Sequence, residues 1–500
     1  MRRLLVVLML CALAPSAFAG GRRTHRMNDG SLLSFEREQV VNHIGIVPTE
    51  SWNADKVYRV PVILFSFADC DFSWDDPKLY YDRMFNAPGY NLGKGPGCVA
   101  DYFRDQSRGL FNIQFDIIGP VKLSSKQKAD KSNPGTSQFS EALRAIDPQV
   151  NFKEYDWDNK GTVPTVLFIY AGYGGNETAE VASGCIYPNT GQIYTKLDGV
   201  IVRYYSASAE LWSNNVSCGI GTICHEYCHT MGLPDLYPTD DNSPEFSVLD
   251  EWDLMDGGCF SDDGWCPPNL SAHERELLNW QTPVDLTSPT HITDMPSFNS
   301  SGLAYRIVND AYPSEFYLLE NRQQEGWDLM LPGHGLLVSH VDYDDSSWSW
   351  SEVNNDPAHH RFDYFHADNL DFNYYELLYG RANTYTAEGR SIRLQHTAYP
   401  YTDGEGVSYD ALTDSTTPAA SLFHARRDGS RLMGKPITQI QETDGLISFH
   451  FCDSPEAITP ARSDATPIAI YDLQGHLVKT PSSGIYIVRY ADGTTKKCIR

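Results

Sequence analysis

The spacing of apolar residues changes character after about Trp280. Before that point the chain carries long apolar runs. Val57–Phe67, V-Y-R-V-P-V-I-L-F-S-F, and Thr165–Gly172, T-V-L-F-I-Y-A-G, are rich in β-branched and aromatic residues and predict buried strands. Between them, Cys98–Gln106 reads as a helix, and Gly109–Gly119 alternates as a strand does. After Trp280 the apolar runs shorten. Ser314–Leu319, His334–Val341 and Leu446–Phe451 are separated by Gly, Pro, Asp and Asn, the pattern of an all-β region. Residues 343–395 are rich in Tyr, Trp, His and Asp without clean periodicity. They predict long loops, with His359, His360 and His366 as surface-loop histidines. The whole pattern is α+β: a mixed sheet with helices, then a sandwich-like all-β domain, then a small C-terminal β module.

The ends of the chain have their own signatures. Residues 1–19 combine a basic start, a short apolar run and Ala17-Phe18-Ala19, which predicts a signal peptide cleaved before Gly20. That run is too short to span a bilayer, and Leu10 before Cys11 is not the small residue that lipid anchoring wants. Residues 20–55 are polar and aperiodic, and a propeptide is expected there; it holds no cysteine, so a cysteine switch is excluded. The expected boundaries are a catalytic domain over 56–285, a β-rich accessory domain over 286–457 and the terminal module over 458–500, which a chain of 500 residues accommodates.

Charge narrows the partners. The net charge is −26, from 65 acidic and 39 basic residues, so no basic stripe is available to neutralise the phosphates of nucleic acid. Such a charge fits a soluble exported protein, and no later segment is long and apolar enough to cross a membrane. Of 11 cysteines all but Cys11 lie beyond the cleavage point, an even number in a disulfide-permitting compartment.

The chemistry concentrates in Gly221–Tyr237, G-T-I-C-H-E-Y-C-H-T-M-G-L-P-D-L-Y. On a helix His225 and His229 project from one face, one turn apart, and can grip one Zn2+. Glu226 can reach a metal-bound water as general base. Gly232 is suited to end the helix in a left-handed conformation, after which Asp235 can offer a third ligand oxygen. Three protein ligands leave a fourth position open, the mark of a catalytic site. Further on, Glu251–Gly258, E-W-D-L-M-D-G-G, offers Met255 as an apolar floor beneath the metal. Cys224 and Cys228 interleave with the histidines but point about a quarter-turn away on a helix, toward the core or toward pairing with Cys218 or Cys259.

With these residues in view, the chain resembles the immune inhibitor A-like secreted metallopeptidases. The likeness runs through V-P-V-I-L-F-S-F at 60–67, D-Y-F-R-D-Q-S-R-G at 101–109, I-Y-A-G-Y-G at 169–174 and the zinc segment. It continues through W-D-L-M, L-S-A-H-E-R-E-L-L-N-W at 270–280, Y-L-L-E-N-R at 317–322 and L-P-G-H-G-L-L-V-S-H-V-D at 331–342. The resemblance implies a secreted, metzincin-type zinc endopeptidase acting on protein or glycoprotein substrates, with His225, His229 and Asp235 on zinc and Glu226 as base. It also implies a calcium loop near Asp156–Pro164, but Lys160 stands at an acidic position there and weakens an oxygen cage for Ca2+. Ile468–Arg500 is similar to the C-terminal sorting domain of the type IX secretion pathway of Bacteroidetes, which implies passage through outer-membrane export machinery. The competing reading from another class is a surface binding or adhesion protein on a protease fold without catalysis.

Overall fold

A computed structural model describes residues 52–128, 135–176, 183–212, 215–240, 247–370 and 392–453, with Val47, Val478 and five strand segments, Arg23–Arg26, Leu32–Phe35, Pro467–Tyr471, Ile485–Tyr490 and Thr495–Ile499. The expected signal peptide and most of the expected propeptide lie outside the described residues. Residues up to Phe451 pack as one compact unit, and Cys452–Arg500 as a second.

The first strand, β1 (Tyr58–Ser66), is buried on both faces. Its side chains alternate between two cores: Val60, Val62 and Leu64 enter the larger, Ile63 and Phe65 the smaller. Each such burial contributes about 1.5–3 kcal/mol. An exposed ion pair such as Lys122–Asp71 contributes at most about 1 kcal/mol. Two-sided burial therefore decides the register. Pro61 lacks an N–H, yet pairing with the neighbour on that side begins only at Val62, so no ladder bond is lost.

Helix α1 (Pro77–Asn86) starts at Asp76, whose carboxylate accepts from Leu79 N, with proline at the first helical position. Helix α2 (Val99–Gln106), strand β2 (Ile113–Lys122), helix α3 (Thr136–Ile146) and strand β3 (Thr162–Tyr173) follow. Strands β4 (Asn189–Leu197) and β5 (Val200–Leu211) form a hairpin. Its turn, Asp198-Gly199, has φ of 50° and 86°, the mirror-image turn that suits strand twist. The five strands run β2-β1-β3-β5-β4, parallel except for the antiparallel edge strand β4. One face packs α3, with Phe139 stacked on Phe168 at 4.6 Å. Against the other lies helix α4 (Gly221–Thr230), where Tyr227 meets Phe103 of α2 edge-on.

The α4 helix is buried along nearly all its length. Gly221 opens it against the Cys259 backbone, where an added Cβ would lie 2.0 Å from the carbonyl oxygen.

Helix α5 (Ala272–Leu277) begins with a reciprocal cap: Ser271 N donates to Glu274 Oε2 at 2.7 Å, and Glu274 N donates to Ser271 Oγ. Beyond it, β6 (Val284–Asp285), β8 (Ala304–Val308), β9 (Glu315–Arg322), β10 (Gly335–Asp342) and β11 (Phe362–Tyr364) form a five-stranded sheet in the order β11-β10-β9-β8-β6. A second sheet joins β7 (Thr290–Met295) to the hairpin β12 (Ile437–Thr443) and β13 (Leu446–Phe451). The larger core continues without a break from β1 and α4 into Phe316, Leu318, Val341 and Phe362 of these strands. A buried charge cluster reinforces the junction. Arg322 grips Asp328 through two 2.7 Å bonds and donates to the Asn269 carbonyl oxygen, while Glu320 beside it accepts from Ala272 N at the start of α5.

The described residues of 343–395 are more ordered than the composition of that stretch predicts. They contain helix α6 (Asp345–Ser349) and strand β11, while 371–391 lie outside the described residues. His360 and His366 are buried rather than on surface loops, against Asp363 and Thr397; half-buried His359 donates toward Asp342. At the other end, Trp52 is a core side chain whose indole N–H donates to the Leu278 carbonyl oxygen. Among the described residues no helix is long and apolar enough to cross a membrane. The second unit holds three antiparallel strands, Pro467–Tyr471, Ile485–Tyr490 and Thr495–Ile499, in sequence order.

Two stability predictions follow from this packing. Gly221→Ala drives a methyl into the Cys259 carbonyl and should lower stability by about 1–3 kcal/mol, read from the urea midpoint; an unchanged midpoint contradicts the close approach. His273 sits among Phe316, Tyr343, Trp348 and Phe362, and neither ring nitrogen has a hydrogen-bond partner among the described residues. Burial, with a lesser push from Arg306, lowers its pKa from 6.5 to about 3. Below pH 6.5 the unfolded chain takes up a proton that the folded chain refuses, so stability falls as pH drops toward 3. His273→Leu should flatten the acid loss between pH 6 and 4.5 by up to about 1.4 kcal/mol per pH unit. Equal slopes in wild type and variant would contradict the assignment.

Candidate metal centre

Helix α4 presents His225, fully buried, and His229, partly exposed, one turn apart. Each Nδ1 lies against a backbone carbonyl: His225 against Leu254 O at 2.9 Å, His229 against Leu233 O at 2.8 Å. A carbonyl can only accept, so each Nδ1 carries a proton and each Nε2 is the nitrogen left to face a cation or to take a second proton. The two Nε2 atoms are 3.1 Å apart.

The helix ends in a double turn. Leu233 N donates to Cys228 O and Gly232 N donates to His229 O, with Gly232 at φ 97°. The same turn places the Leu233 carbonyl under His229 and carries the chain to Asp235. Asp235 Oδ1 lies 3.3 Å from His225 Nε2 and 3.2 Å from His229 Nε2, buried and with no hydrogen-bond partner among the described residues. Thus three of the residues singled out in the sequence are brought together as a group able to hold a metal ion.

The segment expected to floor the site is tied to it from two sides. Leu254 O receives His225, and Leu236 N, next to Asp235, donates to Met255 O at 2.9 Å. Met255 is fully buried in the core that also contains Cys224 and Cys228. No disulfide is formed among the described cysteines, and of the two readings of Cys224 and Cys228, packing into the core or pairing with Cys218 or Cys259, the structure shows the first.

Glu226 follows His225 on the helix and is buried. Its Oε2 faces the Thr190 hydroxyl at 3.1 Å, and the same hydroxyl lies 2.7 Å from the Glu226 main-chain oxygen. Its Oε1 is buried without a hydrogen-bond partner among the described residues. Thr190 stands on edge strand β4, and its role had no sequence motif; the Asp198-Gly199 turn was the signal that could have revealed the strand.

The electrostatics follow from this crowding. Burial alone would depress His229, but the Asp235 carboxylate outweighs it and raises the imidazole to about 9. Burial would raise Asp235, yet the two imidazoles pull it well below the usual carboxylate range. Burial raises Glu226 more than the histidines lower it. Two imidazole lone pairs and one carboxylate oxygen converging on one point require a positive charge between them, and a cation competes for that place with the proton.

The spacing fits a metal. Ligand atoms about 2.0–2.2 Å from a shared ion at tetrahedral angles lie about 3.3 Å apart. The observed separations are 3.1, 3.2 and 3.3 Å. The donor set of two nitrogens and one oxygen suits zinc. At Asp156 and Asp158, by contrast, the carboxylates already accept from Lys160 N and Gly161 N, and the Lys160 ammonium lies 2.9 Å from Asp158. In the loop where calcium was considered, the exposed Lys160 ammonium pairs with the Asp158 carboxylate.

Comparison with known proteins points to the same stretch. Residues 201–282 match the family described as immune inhibitor A peptidase M6, catalytic domain. The pre-pro-metalloprotease PrtV of Vibrio cholerae serotype O1 is 22% identical over 273 residues, covering 44% of this chain and 29% of that protein. Immune inhibitor A of Bacillus thuringiensis subsp. alesti is 21% identical over 306 residues, covering 48% of this chain and 44% of that protein. The chain therefore spans less than half the length of these curated relatives. Over the stretch that carries His225, Glu226, His229 and Asp235, it is similar to the catalytic domain of the immune inhibitor A-like metallopeptidases.

Proposed function

We propose that the protein is a secreted zinc metalloendopeptidase that hydrolyses internal peptide bonds of proteins. The observation that carries this reading is the pairing of a three-atom cation site with an adjacent carboxylate whose Oε1 is buried and has no hydrogen-bond partner among the described residues. His225, His229 and Asp235 would hold zinc, with Met255 in the turn beneath His225. An ion held there would supply Lewis acidity for lowering the pKa of a water and polarising the scissile carbonyl.

The chain's own residues supply the proton handling. Glu226 takes a proton from the attacking water at Oε1 as the new C–O bond forms. It returns that proton to the amine nitrogen as the C–N bond breaks. Burial, which raises the Glu226 pKa, brings it closer to the pH at which a group both accepts and releases a proton readily. Thr190 steadies Oε2, leaving Oε1 as the working atom. The leader over 1–19, a latency segment within 20–55 that leaves the core residue Trp52 in place, and export through a C-terminal module belong to the same proposal and rest on the sequence.

A binding protein on an inactive protease fold is disfavoured by the same atoms. A binding role asks only for the three ligand atoms, whereas a buried carboxylate directly beside them is what proton transfer from a metal-activated water requires.

Casein cleavage by the purified, processed protein tests the reading. Chelation should abolish activity and zinc should restore it. Glu226→Ala should keep stoichiometric zinc and lose about 100-fold or more of kcat. Substantial turnover by a zinc-loaded Glu226→Ala protein would contradict the assignment of the base.

A further inference from the structure

The segment carrying Asp235 is not held by the helix that precedes it alone. Its other clamp comes from more than a hundred residues away, in the turn that follows α6 in the β-rich half. Asp235 N donates to Ser351 Oγ at 2.8 Å. The serine hydroxyl proton is then free to point at Asp235 Oδ2, 3.5 Å away, the oxygen that does not face the histidines. Thr239 N donates to Asn355 Oδ1, and the Thr239 hydroxyl donates to the Ser351 carbonyl oxygen. Asn354 Nδ2 bridges the Leu236 carbonyl oxygen at 2.7 Å and the Phe362 carbonyl oxygen at 2.8 Å, while Asn354 Oδ1 accepts from Phe362 N. The clamp is thereby anchored on β11.

Ser351 is also held at a cost. Its φ is 54°, in the left-handed region that a non-glycine residue seldom adopts, and the side chain is buried. Glycine would suit the backbone better at this position. What glycine cannot supply is the hydroxyl that meets Asp235.

We propose that the turn Ser351–Asn355 is a working part of the metal centre, with Ser351 as a positioning residue that turns Asp235 Oδ1 toward the two imidazoles. This rests on the metal-centre reading above and extends it: the β-rich half completes the site rather than accompanying it. Partners of this kind, bonded to ligands rather than to the ion, typically change metal affinity 10- to 100-fold when removed.

The test compares Ser351→Gly and Ser351→Ala with the wild type in the full chain, by zinc titration against a chromogenic chelator and by thermal melting of the metal-free protein. Gly relieves the backbone and Ala does not, so metal-free stability should rise or hold in Ser351→Gly and fall in Ser351→Ala. Both lack the hydroxyl, and both should bind zinc at least about tenfold more weakly. Zinc affinity within twofold of wild type in Ser351→Gly, or affinity that follows stability instead of the hydroxyl, overturns the proposal. A wild-type protein that binds no zinc overturns the metal-centre reading itself, a result distinct from wild-type binding that the serine variants leave unchanged.

Discussion

Two imidazole Nε2 lone pairs and one carboxylate oxygen, held 3.1–3.3 Å apart in a water-poor setting, form an arrangement that repels itself unless a cation lies at its centre. Everything around the cluster opposes its dispersal. Backbone carbonyls of Leu233 and Leu254 fix the two rings, and the helix-ending turn at Gly232 returns the chain at the angle that delivers Asp235. The assembled fold therefore invests binding energy elsewhere to hold three acceptors face to face.

That support comes from both halves of the chain. Burial of α4 against the five-stranded sheet sets the histidines, and the Leu254–Met255 turn closes from below. Residues 351–355 close from the β-rich side, and the Arg322–Asp328 pair with Glu320 ties β9 to the start of α5. A continuous core through both halves makes the site a property of the residues up to Phe451 rather than of the zinc segment alone.

The parts legible in the sequence were those governed by local rules. β1 was visible as a run dominated by apolar residues, β9, β10 and β13 as short strands, and His225, Glu226, His229, Gly232 and Asp235 by helical spacing and helix termination. The β4–β5 hairpin escaped because polar and aromatic residues blur its alternation, although Asp198-Gly199 marks its turn. Ser351 and Asn354 could not be found that way. Their partners at the metal segment, Asp235 and Leu236, are more than a hundred positions distant, and nothing in a serine or an asparagine announces which backbone it will meet. The expected disulfides are absent among the described residues: Cys224 and Cys228 are taken up as small apolar side chains in the core, a role cysteine fills as readily as pairing.

The most direct measurement is the X-ray absorption spectrum of the zinc-loaded protein, which reads the ligand atoms without reference to activity. The account predicts one zinc per chain with a light-atom shell of nitrogen and oxygen at about 2.0–2.2 Å, reduced in imidazole scattering by His229→Ala. A sulfur shell at about 2.3 Å, placing the metal on Cys224 and Cys228, or a spectrum unchanged by His229→Ala, would contradict it.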